Sequence, residues 1–125
     1  MQSNEEKYTR QGDLLFIPVA SIPKNIKERK RKTESRVLEV GEATGHAHAV
    51  AEADATHVEI YDPWHQEGHA DYLRVTGDGI SIVHESAKAG DTDVHRPVTL
   101  SPGAYQVRRA REYDYLARLD WPVAD

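Results

Sequence analysis

The stretch ATGHAHAVAE, residues 43–52, sets two histidines one residue apart between alanines, just after a glycine. On a strand successive side chains alternate faces, so His46, His48 and Val50 share one face and Ala47 and Ala49 the other. Two imidazoles at that spacing can reach one metal ion, or can divide the work of an acid and a base. A merely polar strand face is the competing account. Further along, ISIVHE (80–85) puts His84 at the end of a row with Ile80 and Ile82 that alternation turns inward, an odd place for a solvated histidine. His95 follows after a loop containing Ala, Gly and Asp, which could fold back. Glu52 and Glu85 are the carboxylates best placed by sequence to complete a set. The candidate metal ligands are therefore His46, His48, His84, His95 and Glu52. The candidate catalytic residues are His46, His48, His84, His95, Glu85, Arg109 and Arg111. His57, His65 and His69 lie in an acidic, Trp-containing segment, where a surface loop explains them better.

Three kinds of chemistry fit these residues. There is no cysteine, which excludes disulfides, zinc ribbons and thiol nucleophiles. A divalent metal (zinc, iron or manganese) would be held by histidine and carboxylate alone. Two histidines with one carboxylate suit iron(II) and oxygen chemistry; three imidazoles suit zinc, which activates water for hydrolysis. A metal-dependent hydrolase or oxygenase is the leading expectation. The alternative is a metal-independent ribonuclease, because RNA carries its own nucleophile in the 2′-hydroxyl and needs only a base and an acid. In VRRAREY a strand would set Tyr105, Val107, Arg109 and Arg111 on one face, able to meet negative charge. An edge strand kept soluble by charge accounts for Arg108, Arg109 and Arg111 equally simply. The third expectation is a non-catalytic RNA- or protein-binding module that contacts phosphates through Lys30, Arg31 and Lys32, with Arg108, Arg109 and Arg111 as a second basic set. No Rossmann fingerprint, Walker A motif or G-x-S-x-G elbow occurs, so no organic cofactor is suggested.

The elements that must position these residues read as short strands. DLLFIPVASIP is a nearly continuous apolar run between Gly12 and Pro23, the pattern of a buried strand. RVLEV (36–40) alternates Val37 and Glu39 against Leu38 and Val40, and pairs with GHAHAVAE as a hairpin across Gly41–Gly45. Further strands are predicted over 56–61, 71–76, 80–85, 96–100 and 104–110, separated by Asp-Pro, Gly-Asp-Gly, Ala-Gly-Asp and Ser-Pro-Gly turns. The expected fold is mainly β, one small domain over 1–125 forming a β-barrel or β-sandwich. A short C-terminal helix is expected over YDYLARL, and mobility over 1–10 and 24–35.

Charge is distributed unevenly. Residues 24–36 carry seven basic and two acidic side chains, whereas residues 51–73 carry six acids and no Lys or Arg, within a net charge of −5. These patches say more about partners than the total does. No apolar run approaches the roughly 20 residues needed to cross a bilayer, and the polar start is unlike a signal peptide. The expected location is cytoplasmic, with no membrane partner. Homo-oligomerisation suits so small a core.

Two resemblances follow from these motifs. His46-x-His48 followed by Glu52 is similar to the first metal motif of the cupin superfamily, whose two-stranded barrels hold a metal with two histidines, a glutamate and a later histidine. The match covers about ten residues and departs at Ser101-Pro102-Gly103, which Ala104, Tyr105 and Gln106 follow instead of histidine. The fold is cupin-like at most in part. The wider pattern, YTRQGDLLFIPV, GEATGHAHAV, VHE, HRPVTLSPGAYQV and REY, resembles an uncharacterised family of short bacterial proteins. That resemblance implies that His46, His48, His84 and His95 belong to one pattern and carries over no activity.

Overall fold

The structure, a computed structural model, describes residues 8–40, 46–62, 68–86 and 96–110. The described chain runs through β1 (Thr9–Gln11), β2 (Leu14–Val19), a single helical turn α1 (Lys24–Lys27), β3 (Val37–Val40) and β4 (His46–Val50). A 3-10 segment (Glu52–His57) leads into β5 (Val58–Tyr61), followed by β6 (Tyr72–Val75), β7 (Ile80–Ser86), β8 (Val98–Leu100) and β9 (Gly103–Arg109).

The strands form two antiparallel sheets. Sheet I has the order β1-β2-β9-β6-β5 and sheet II the order β3-β4-β7-β8. Neither closes into a barrel among the described residues; the architecture is a sandwich. One core fills the space between the layers. Leu14, Phe16, Leu73, Val75, Tyr105 and Val107 come from sheet I, and Leu38, Val50, Ile80, Ile82 and Leu100 from sheet II. A second cluster of Ile22, Ile26, Tyr61, Tyr72 and Ala104 covers the outer face of sheet I, so α1 is held by Ile26. Burial on both faces explains why DLLFIPV reads as a continuous apolar run.

The predicted strands appear with shifted ends. THVEIY loses its first two residues to the 3-10 segment, where Asp54 caps the sheet by accepting from the Ser81 backbone N–H at 2.8 Å. The β3–β4 hairpin forms as expected. Its loop, the C-terminal segment YDYLARL, His65, His95 and Arg111 lie outside the described residues.

Two local features direct side chains into the inter-sheet space. Gly12 takes φ 59°, a left-handed conformation that costs glycine least, and the chain reverses between Gln11 and Leu14. This hairpin places Gln11 on the same inward face as Leu14. The second feature is a β-bulge. Val37 pairs with Ala49 but Glu39, two residues on, pairs with His48, only one residue back. The extra residue cancels the strict alternation expected of RVLEV. Leu38 is fully buried and Glu39 turns to the His48 face, while Val40, expected to share the side of Leu38, is 54% exposed.

No helix among the described residues is long and apolar enough to cross a membrane.

Candidate functional site

Sheet II carries a polar row at one end of its inner face. Glu39 on β3, His48 on β4 and His84 on β7 are successive cross-strand partners. Directly opposed residues of an antiparallel pair point to the same side, so the bulge in β3 is what lines the carboxylate up with the imidazoles. His84 continues the inward row of Ile80 and Ile82, both buried. His48 is 5% exposed, beside the fully buried Val50.

The three described histidines of the sequence motif come together. The His48 and His84 rings stack with centroids 4.4 Å apart and planes 16° apart. His46 meets His84 edge to face, with centroids 5.3 Å apart and planes at 71°. A stack and a right-angled contact have different chemical uses. Two nearly parallel rings direct their in-plane lone pairs side by side, whereas two nitrogens on one ion must converge. Among the described residues, no group of three or more His, Asp or Glu side chains is arranged to hold a metal ion.

Sheet I supplies the opposite wall. Gln11 is 2% exposed and bridges the layers. Its amide nitrogen donates to the backbone carbonyls of Ile82 at 3.0 Å and Arg96 at 2.9 Å, and its oxygen lies 2.7 Å from Nδ1 of His48. Arg109 follows Tyr105 and Val107 on the inner face of β9. Its guanidinium donates to Oε1 of Glu39 from Nε at 3.0 Å and from Nη2, and its Nη1 lies 3.8 Å from the Asp71 carboxylate. Nδ1 of His69 lies 3.2 Å from the same Glu39 oxygen. Two carboxylates thus compensate one guanidinium, which leaves less of its charge for an external anion.

The other sequence candidates are placed elsewhere. Glu52 is exposed beyond the far end of β4, at the start of the 3-10 segment, and is not brought to the histidines. Glu85 points away from His84; it pairs across from Ala47, and its half-exposed carboxylate lies 3.9 Å from Arg36. Arg108 is half-buried on the opposite face of β9 to Arg109. Lys30 and Lys32 are exposed, but the Arg31 side chain is 3% exposed. Nε and Nη2 of Arg31 grip both oxygens of Asp62, each at 2.7 Å, and Nη1 donates to the carbonyls of Ser35 at 3.1 Å and Val37 at 2.7 Å. Its role is to tie the 30–36 segment across the adjoining edges of β3 and β5.

Sequence reasoning missed Gln11, Glu39 and Asp71, and assigned His69 to a surface loop. The Gln-Gly-Asp turn before an apolar strand was the available signal for Gln11, since a glycine turn fixes which side the preceding residue faces. Glu39 had none, because a bulge is invisible to period-two reading.

A family model described as Domain of unknown function (DUF8820) matches residues 10–110. The chain belongs to that family. The DUF8820 match takes in every residue of the polar cluster, from Gln11 through Glu39 and the histidines to Arg109, and bears out the resemblance to an uncharacterised family. No curated protein and no solved structure matches the chain.

Proposed function

We propose that the polar end of the sandwich is a histidine acid–base site in which His48 and His84 divide the two roles. The observation that carries this reading is their stack, 4.4 Å between ring centroids. At that distance the two rings can meet one substrate together, one imidazole holding a proton while its neighbour accepts one. That is the state an acid–base pair requires. The proposed substrate class is RNA. One imidazole removes the 2′-hydroxyl proton, the 2′-oxygen attacks phosphorus, and the other imidazole protonates the departing 5′-oxygen. The products are a 2′,3′-cyclic phosphate and a free 5′-hydroxyl.

Because Glu39 and Asp71 compensate Arg109, the proposed phosphate contacts shift to Lys30 and Lys32, with Arg108 as a further contributor. The test is cleavage of RNA by the full chain in the presence of EDTA. Cyclic-phosphate products, a bell-shaped pH dependence and loss of activity in both His48→Ala and His84→Ala are expected. Intact RNA across that pH range would overturn the reading.

A metal-binding reading is favoured by a different pair. His46 and His84, edge to face with planes at 71° and centroids 5.3 Å apart, can turn a nitrogen each toward one ion about 2.0–2.1 Å away. Zinc, iron or manganese held there would supply Lewis-acid polarisation or an activated water. Elemental analysis of untagged protein tests this; stoichiometric metal supports it, and its absence removes it.

A further inference from the structure

We propose that Gln11 is the positioning residue of the site, fixing the tautomer of His48 so that Nε2 is its proton-accepting nitrogen. The proposal rests on the acid–base reading and deepens it by naming the reactive atom. A glutamine side chain has two N–H protons and one acceptor oxygen, and the two ends are not interchangeable once their surroundings are fixed. The Gln11 nitrogen lies within hydrogen-bond reach of two backbone carbonyls, Ile82 at 3.0 Å and Arg96 at 2.9 Å, which can only accept. Reversing the amide would set its oxygen against both carbonyl oxygens and waste two buried bonds. The oxygen must therefore face His48.

That oxygen carries no proton, so the 2.7 Å contact with His48 Nδ1 is a hydrogen bond only if Nδ1 is the donor. In the neutral ring the lone pair is then on Nε2. The anchoring carbonyls belong to β7 and to the segment entering β8, so the tautomer is set by backbone that the core already holds in place. The geometry matches the general rule that a reactive histidine is oriented through the hydrogen bond of its other nitrogen. Gln11 sits on a three-residue edge strand in a polar stretch, yet it is 2% exposed. A solvated edge would not need that burial.

The test is a two-bond 1H–15N correlation spectrum of the full chain labelled with 15N-histidine, with His48 assigned from His48→Ala. The wild type should show His48 with Nδ1 protonated and Nε2 in the unprotonated range at mildly alkaline pH. Gln11→Ala should lose that pattern and move toward the mixed tautomer of a free imidazole. A wild-type spectrum with Nε2 protonated and Nδ1 bare overturns the assignment, as does an unchanged His48 pattern in a folded Gln11→Ala. On RNA, Gln11→Ala should lower kcat about 10- to 100-fold with little change in KM. If the Nδ1–H signature is present and no RNA is cleaved, the tautomer assignment stands and the acid–base reading falls. The spectrum and the assay thus fail separately.

Discussion

Glu39 and Arg109 join the two sheets from inside, the β3 carboxylate accepting from the β9 guanidinium at 3.0 Å from Nε and again from Nη2. The pair exists because a bulge turned Glu39 inward, and it sits where the apolar core gives way to the histidines. Both side chains are mostly buried, Arg109 at 12% and Glu39 at 20% exposure, so neither is solvated well if the other is removed. Breaking a fully buried pair costs about 3–5 kcal/mol. Partial exposure here reduces the expected loss for Arg109→Leu to about 2–3 kcal/mol. The double variant Glu39→Leu/Arg109→Leu should lose less than the sum of the singles. Urea unfolding of the four proteins measures this, and strict additivity would show that the two residues do not interact.

Much of the fold was legible because the apolar runs are short and cleanly punctuated. DLLFIPV gives β2, ISIVHE gives β7, and Ile80, Ile82 and His84 do share the inward face that alternation assigns them. The pairing of β4 with β7, which sets His48 opposite His84, was beyond reach of local pattern, since nothing within either strand names its neighbour. Glu52, a carboxylate expected to complete the set, lies off the strand, because the chain turns into a 3-10 segment just after Val50. The residue that meets the histidines, Glu39, comes from the neighbouring strand through a register shift.

Arg31 separates stability from phosphate contact within the basic segment. Its guanidinium is satisfied by Asp62 and two backbone carbonyls, whereas Lys30, 3.8 Å from the partly exposed Glu59 carboxylate, and Lys32 are open to solvent. Arg31→Ala leaves Asp62 without its partner and frees the 30–36 segment, for an expected loss of about 3 kcal/mol. Arg31→Lys recovers little, because an ammonium cannot reproduce the two-pronged contact. Lys30→Ala/Lys32→Ala should leave the thermal midpoint within about 2 °C, an effect under about 0.5 kcal/mol. It should also weaken RNA binding and flatten its salt dependence. Thermal melts and filter binding at two salt concentrations distinguish the roles.

Tyr61 gives the fold a dependence on alkaline pH. Burial raises its phenol above the ordinary 10, and the hydrogen bond and negative charge of Glu59 add to the effect, against a smaller opposing pull from Arg74. The folded chain therefore holds this proton at pH values where the unfolded chain has released it. Wherever the unfolded state binds fewer protons, stability falls as pH rises. The contribution of Tyr61 is complete below about pH 10 and is lost as pH climbs from there through the folded value. Tyr61→Phe should cost about 1 kcal/mol near neutral pH and make stability decline less steeply above about pH 10. Urea midpoints followed from neutral to alkaline pH provide the check, and parallel curves for the two proteins would exclude Tyr61 as the source.

The histidines divide between the two functional readings in a way single substitutions can resolve. The stacked pair is His48 with His84, and the edge-to-face pair is His46 with His84. His84 belongs to both, so His84→Ala should abolish function under either reading. His46 and His48 discriminate. If the site works by acid–base transfer, His48→Ala should lower RNA cleavage in EDTA by about 10²–10⁴-fold while His46→Ala retains most of it. If the edge-to-face pair holds an ion, His46→Ala should lose bound metal and His48→Ala should keep it. The stability of each variant is measured alongside, because His48 is buried against Gln11 and its removal leaves an unpaired glutamine oxygen. That structural cost, about 1–3 kcal/mol, should appear in the melt of His48→Ala and be smaller in His46→Ala. A fully folded His48→Ala with undiminished cleavage would transfer the proton chemistry away from the stacked pair.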